Sequence, residues 1–159
     1  MKVINNFLPK KDFDDLTKLI FDKYFPWYFQ DEIAFAEEAL EKNSYFTHLI
    51  YDLKPKSSHY NFIKDKLLSH LNVTNLIRVK INCYPRTENV IEHTKHYDYK
   101  FSHKGFILSL NTCDGFTVLE NSKIESVENK ALFFDPTKLH CSTTCSNAKA
   151  RFNININYN

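Results

Sequence analysis

From Leu8 to Tyr24 the apolar side chains Phe13, Leu16, Ile20 and Tyr24 recur every three or four positions, with Pro9 near the start and Pro26 beyond the end. That spacing predicts an amphipathic helix stopped by proline. A second helix is predicted from Ser57 or Ser58, either of which can cap it, with Tyr60, Ile63, Leu67 and Leu71 on one face. Between the two, Asp31 to Lys42 is acidic and contains alanine, which reads as a further helix, and Tyr45 to Leu53 reads as a strand. After Asn75 the period changes to two. Val79, Ile81 and Cys83 alternate with Arg78, Lys80, Asn82 and Tyr84, and at the far end Phe152, Ile154, Ile156 and Tyr158 alternate with Arg151, Asn153, Asn155 and Asn157. Phe106 to Leu110, Phe116 to Glu120 and Lys130 to Phe134 are further strand candidates.

Turn residues separate these runs at Asn72, Asp114-Gly115, Asn121-Ser122, Glu128-Asn129, Asp135-Pro136 and Ser146-Asn147. Many short strands preceded by helices predict a β-sandwich or barrel with a helical brace. At 159 residues this is one domain, with residues 1–74 mostly a helical brace and residues 75–159 the core barrel.

Composition narrows the chemistry. A formal charge of +2 is too weak to argue for nucleic acid, and two glycines cannot build a phosphate-cradling loop or a dinucleotide fingerprint. No run of 18 apolar residues exists, and Met1 to Pro9 lacks the apolar centre of a secretory signal, so the expectation is a cytoplasmic protein with no membrane partner. Cys83, Cys113, Cys141 and Cys145 show no paired spacing. His140-Cys141 with Cys145 lacks the two further ligands of a zinc site, so buried thiols are the better reading.

Any chemistry must therefore come from side chains. His96-Tyr97-Asp98 places an imidazole and a carboxylate two residues apart, on one side of the chain if it is extended. His140 follows 42 residues after Asp98, just past the Ala131 to Phe134 strand and a turn. Two imidazoles and one carboxylate on one face of an ion form the facial triad of non-haem Fe(II) oxygenases, which leaves positions open for other ligands. Arg151 begins the last strand on its polar face, where a planar guanidinium lining a cavity can bind a carboxylate in a bidentate pair. Tyr84, on the polar face of its own strand, could donate its hydroxyl to the same carboxylate. His93 is the rival of His96, but Lys95 rather than a carboxylate stands two residues on. His48, His59, His70 and His103 read as ordinary histidines. Trp27 could wall a pocket or pack on the first helix. Arg78, Lys80 and Asn82 could face the barrel interior or water.

The ordered set His96-Tyr97-Asp98, His140 and Arg151 resembles the Fe(II)/2-oxoglutarate-dependent dioxygenase superfamily, within it the prolyl 4-hydroxylase-like branch and its small phage-type relatives. Cys83-Tyr84-Pro85 resembles the segment ahead of the metal motif in oxygen-sensing prolyl hydroxylases. Leu108-Ser109-Leu110-Asn111, Asp114-Gly115-Phe116-Thr117, Ala131-Leu132-Phe133-Phe134-Asp135 and the opening Ile4-Asn5-Asn6-Phe7-Leu8 are similar to further family segments. The resemblance implies a mainly β fold with N-terminal helices, a double-stranded β-helix (a jelly-roll or cupin-like barrel) braced by helices. It implies Fe(II) held by His96, Asp98 and His140, and 2-oxoglutarate bound through Arg151, with Tyr84 and Asn153 as further cosubstrate contacts. It implies hydroxylation of a peptidyl residue, proline by closest analogy, or of a small molecule, with 2-oxoglutarate and O₂ converted to succinate and CO₂. Ser109 stands where prolyl hydroxylases often carry a tyrosine, and Asn153 replaces a small hydroxyl residue behind the arginine. Asp98 is retained where halogenases of the superfamily lose it, which favours hydroxylation. Two other readings are a non-catalytic jelly-roll module and a cupin-type metalloenzyme without 2-oxoglutarate, which would leave Arg151 without a task.

Overall fold

The computed structural model describes residues 1–31 and 44–159. The helix predicted over Asp31 to Lys42 lies, beyond Asp31 itself, outside the described residues. In chain order the elements are β1 (Lys2–Ile4), α1 (Lys10–Ile20), β2 (Tyr28–Gln30), β3 (Tyr45–Asp52), β4 (Lys54–Pro55), α2 (Tyr60–Lys66) with a 3₁₀ turn at Leu68–His70, β5 (Leu76–Pro85), β6 (Lys104–Ser109), β7 (Phe116–Leu119), β8 (Ser122–Glu125), β9 (Ala131–Phe134) and β10 (Ala150–Tyr158). No helix among the described residues is long and apolar enough to cross a membrane.

One antiparallel sheet runs β1-β9-β6-β10-β5-β3-β2, with β4 on the side of β3. Its centre is β10, paired with β5 on one side and β6 on the other. Opposite it stands a smaller layer. The β7–β8 hairpin is joined at Val118 to Cys141, and the chain around Cys141 is joined through His140 to His96 and through Thr143 to Glu92. Two sheets facing across a cavity make the double-stranded β-helix that the sequence led us to expect.

The first 74 residues are more than a helical brace. Strands β1 and β3 complete the large sheet, β1 against β9 and β3 against β5. The helices cover that sheet's outer face. Phe13, Leu16 and Ile20 of α1 and Ile63 and Leu67 after it bury against Val79, Ile81, Ile154 and Ile156, all within one apolar cluster. Lys66 ties the helices together by reaching Asp12 and Asp15, each at 3.0 Å. Tyr24, assigned to the helical face from spacing, lies past the end of α1 and is exposed. Trp27 is partly buried and packs against the core, edge-on to Phe25 and tilted on Phe152, and is not among the residues lining the cavity between the sheets.

Period two on β5 and β10 now has its consequence. If the apolar set of each strand faces the helices, the polar set must face inward, between the sheets. Arg151, Asn153 and Asn157 are buried although polar, alternating with Phe152, Ile154, Ile156 and Tyr158. The register puts Arg151 opposite Tyr84, Asn153 opposite Asn82, Asn155 opposite Lys80 and Asn157 opposite Arg78. Arg78, Lys80 and Asn82 thus face the interior of the barrel.

Candidate active site

The space between the sheets is a cavity of about 560 Å³, lined on one wall by the polar faces of β5 and β10 and on the other by His96, Asp98 and His140. His96 and His140 are brought together by backbone pairing: each N–H donates to the other's carbonyl at 2.9 Å. Asp98 follows not on a strand but in a bend, tied to the turn after β9 by its N–H on the Pro136 carbonyl at 3.0 Å. The extended path expected from the i, i+2 spacing ends at His96, and the bend carries the carboxylate to the same point. One ligand-capable atom from each of His96, Asp98 and His140 lies within 4.8 Å of the others.

Local hydrogen bonds prepare the two rings. Nδ1 of His96 donates to the Thr94 carbonyl at 3.2 Å, and Nδ1 of His140 to the Lys138 carbonyl at 2.9 Å. A carbonyl can only accept, so each neutral ring carries its proton on Nδ1 and leaves Nε2 with a free lone pair. Nε2 of His140 is buried without any hydrogen-bond partner, 4.0 Å from Asp98 Oδ2. That gap is too long for a hydrogen bond and short enough for one ion to bridge. An orphaned buried imidazole nitrogen facing a carboxylate fits a divalent metal. The backbone carbonyls behind the rings are the supports that metal-ligating histidines require.

Asp98 is held from both sides. Arg78 Nη2 donates to Oδ1 at 2.9 Å and Asn157 Nδ2 to Oδ2 at 2.8 Å. Arg78 and Asn157 are opposite partners in the β5–β10 register, so one cross-strand pair serves one carboxylate. Burial would raise the Asp98 pKa, but Arg78, the Asn157 amide and the two histidines together hold it below the ordinary aspartate value. His96 is pushed down by burial first and by His140 second, which keeps its ring neutral and able to ligate. Arg78 and Asn157 were not singled out as site residues from the sequence. The available signal was their shared face with Arg151 and Tyr84, which period two already defined.

At the other end of the same wall Arg151 is 1% exposed. Its Nη2 donates to Thr117 Oγ1 at 2.9 Å, Nη1 to the Thr143 carbonyl at 3.3 Å and Nε to Ser126 Oγ at 3.3 Å, and it lies over the Tyr84 ring at 5.6 Å. No carboxylate pairs with it among the described residues. Burial therefore lowers its pKa, while Tyr84 and the thiols of Cys113, Cys145 and Cys141 act in the opposite sense. A buried guanidinium without an acid is costly and marks a place for an incoming anion. Gly115 packs directly on this side chain: a Cβ there would stand 2.7 Å from Arg151 Cδ and 2.5 Å from the Thr144 carbonyl oxygen. Tyr84 is buried, stacked on Tyr45, and its pKa is raised by burial against the pull of Arg151, so it stays a neutral hydroxyl. Asn153 lines the cavity and accepts from Asn82 Nδ2 at 2.8 Å. Ser109, at the position where the resemblance expects a tyrosine, is buried opposite Asn153 in β6.

His93 does not join the cluster. Its Nδ1 meets Ser142 Oγ at 2.8 Å, and burial, then Arg151 and His96, push its pKa down to about 4. Lys80 points into the cavity, donates to Tyr45 Oη at 3.2 Å, and is lowered to about 8, by burial first and Arg78 second, against the pull of Asp98. All four cysteines are free thiols. Cys83 is pushed up to about 12 and Cys145 to about 11, chiefly by burial, as suits packed rather than ligating sulfurs.

No family model matches the sequence, and no curated protein matches it significantly. Solved structures do match. A prolyl hydroxylase from Trichoplax adhaerens, solved with a peptide fragment of the hypoxia inducible factor oxygen degradation domain, superposes with a TM-score of 0.69 at 19% identity, covering 99% of this chain and 82% of that one. The viral collagen prolyl hydroxylase of Paramecium Bursaria Chlorella virus-1 gives 0.62 at 15% identity, covering 98% and 93%. The non-heme alpha ketoglutarate dependent epimerase SnoN from nogalamycin biosynthesis gives 0.68 at 7% identity, covering 99% and 76%. These lengths and scores place the whole described chain in one architecture, the double-stranded β-helix of the 2-oxoglutarate and Fe(II) oxygenases.

Proposed function

We propose that this protein is an Fe(II)/2-oxoglutarate-dependent dioxygenase that hydroxylates a peptidyl residue or a small molecule: R–H, 2-oxoglutarate and O₂ become R–OH, succinate and CO₂. The observation that carries this reading is one cavity with two unmet charges at its walls. A two-histidine, one-carboxylate cluster with an unpartnered imidazole nitrogen lines it, and a buried guanidinium without an acid stands directly behind Thr117 and Tyr84, which line it too. A dicarboxylate that also chelates metal answers both needs in one molecule.

Each residue then has a task. His96 and His140 offer neutral Nε2 atoms fixed by the Thr94 and Lys138 carbonyls, and Asp98 offers a carboxylate that Arg78 and Asn157 keep ionised and aimed. Arg151 binds the far carboxylate of 2-oxoglutarate in a pocket closed to water, where a charge-assisted pair is strong. Tyr84, beside it, adds a neutral hydroxyl donor, and Asn153 an amide. Fe(II), when bound, supplies the one-electron chemistry with O₂ that no side chain can perform. A peptide as substrate is supported by the Trichoplax adhaerens enzyme, which was solved with one. Four free thiols and a ferrous ion both suit a reducing compartment, so we place the protein in the cytoplasm.

The test is direct. Protein supplied with Fe(II), O₂ and 2-oxoglutarate is expected to form succinate, and His96→Ala to abolish it. Fe(II) that changes neither thermal stability nor 2-oxoglutarate turnover would instead leave a binding module.

A further inference from the structure

Arg151 answers one carboxylate, Arg78 is already spent on Asp98 and Lys95 is exposed to solvent, yet one more cation, Lys80, lines the cavity. Lys80 stands on β5 midway along the polar wall, opposite Asn155. An ammonium carries three donors, and among the described residues Lys80 uses one, on the neutral Tyr45 hydroxyl at 3.2 Å. Tyr45 is itself buried and lines the same cavity. Lys80 stands four positions before Tyr84, the register partner of Arg151, or roughly 13 Å of strand. Arg151 is tied to Thr117, Thr143 and Ser126, whereas the charge of Lys80 is felt at His96 and Asp98. The two cations therefore serve different levels of the cavity: one the far end, the other the level of the reacting centre.

We propose that Lys80, presented by Tyr45, is a specificity-determining residue that binds a carboxylate of the substrate to be oxidised. The inference rests on the dioxygenase reading and adds the substrate class: an acid, carried either by a free amino-acid-like molecule or by an acidic side chain in a peptide. Desolvating an ammonium against a single neutral oxygen is unfavourable by itself, and an arriving carboxylate offsets that cost. Arg151 is not available for this purpose once the cosubstrate is bound.

The experiment uses full-length protein loaded with Mn(II) and saturated with 2-oxoglutarate without oxygen, so that binding is read without turnover. Two pairs of probes are titrated calorimetrically: N-acetyl-L-proline against its amide, and a capped hexapeptide containing glutamate against the same peptide with glutamine. At least one acid is expected to bind about tenfold or more tightly than its uncharged partner, as a charged hydrogen bond allows. Lys80→Met is expected to erase that preference, Lys80→Arg to keep part of it, and both variants to retain wild-type affinity for 2-oxoglutarate, which also shows that they fold. The pair that discriminates identifies the source of the carboxylate. Equal or absent binding within both pairs, a preference that survives Lys80→Met, or a loss of 2-oxoglutarate affinity in that variant overturns the proposal. Wild-type protein that fails to bind 2-oxoglutarate with Mn(II) would overturn the dioxygenase reading first and this inference with it.

Discussion

Strands β5 and β10 have two faces that differ completely in what they do. The outer face, with Val79, Ile81, Ile154 and Ile156, is buried against the helices and holds the fold together through apolar area alone. The inner face, with Arg78, Lys80, Tyr84, Arg151, Asn153 and Asn157, is almost as well hidden but polar, and its members are positioned by one another and by the opposite sheet. Burial therefore does not separate scaffold from site here. What separates them is whether burial is compensated within the protein. The outer side chains need nothing further, whereas among the described residues Arg151 has hydrogen bonds but no acid, Lys80 one neutral acceptor and His140 Nε2 no partner, and each points at a ligand.

Substitutions can break the two faces independently. The largest effect is expected from His140→Ala, which removes one of three ligand groups and should abolish binding of Fe(II) or Mn(II), read by anaerobic metal titration, while thermal stability without metal changes little. On the outer face, Ile154→Ala should cost about 4 kcal/mol of stability in urea unfolding, the usual penalty for a cavity in a closed core. Its folded fraction should bind metal with wild-type affinity.

Acid offers a third probe, because it acts on shielded histidines: His93 and His96 on the inner side and His48 beside Phe25 and His59 on the outer. His93 has its pKa lowered from 6.5 to about 4, and His96 and His48 are lowered in the same direction, in each case by burial first. Below pH 6.5 the unfolded chain takes up protons that the folded protein refuses, so the histidine contribution to stability falls as the pH drops from about 6.5 to 4, and beneath that the lowered Asp98 continues the loss. For His93 alone the loss is on the order of 3 kcal/mol. His93→Phe should flatten that limb of a stability-against-pH curve, and an unchanged slope would show that His93 is not the group responsible. The smallest effect tests the contact between a turn and the guanidinium. Gly115→Ala places a methyl group against Arg151 Cδ and the Thr144 carbonyl and should weaken 2-oxoglutarate binding about tenfold, at a stability cost of about 1 to 3 kcal/mol.

The faces of β5 and β10 were legible in the sequence because period two is a local property, and so were α1, β3, β6, β7 and β9. Elements defined by partners rather than by pattern were not. Strand β1 is three residues long and exists because Lys2 to Ile4 pair with Phe133 to Ala131. Strand β8 begins at Ser122, where the composition reads as a turn, and becomes a strand only against β7. The segments bearing the histidines pair through single bridges, so no run of alternation announces them. The same limit applies to the site. His96, Asp98, His140, Arg151 and Tyr84 form a recognisable set by type and order. The pairing of Arg78 and Asn157 on Asp98 depends on a register between strands more than 70 residues apart, and Lys80 becomes informative only once its face is known to be interior.

The most direct test of the central claim is a titration of Mn(II)-loaded protein with 2-oxoglutarate in the absence of oxygen, for the wild type and for Arg151→Met. The account predicts saturable binding by the wild type that requires the metal, and a loss of about a hundredfold or more in the variant with metal affinity retained. Binding that is independent of the metal, or equal in the two proteins, would contradict it.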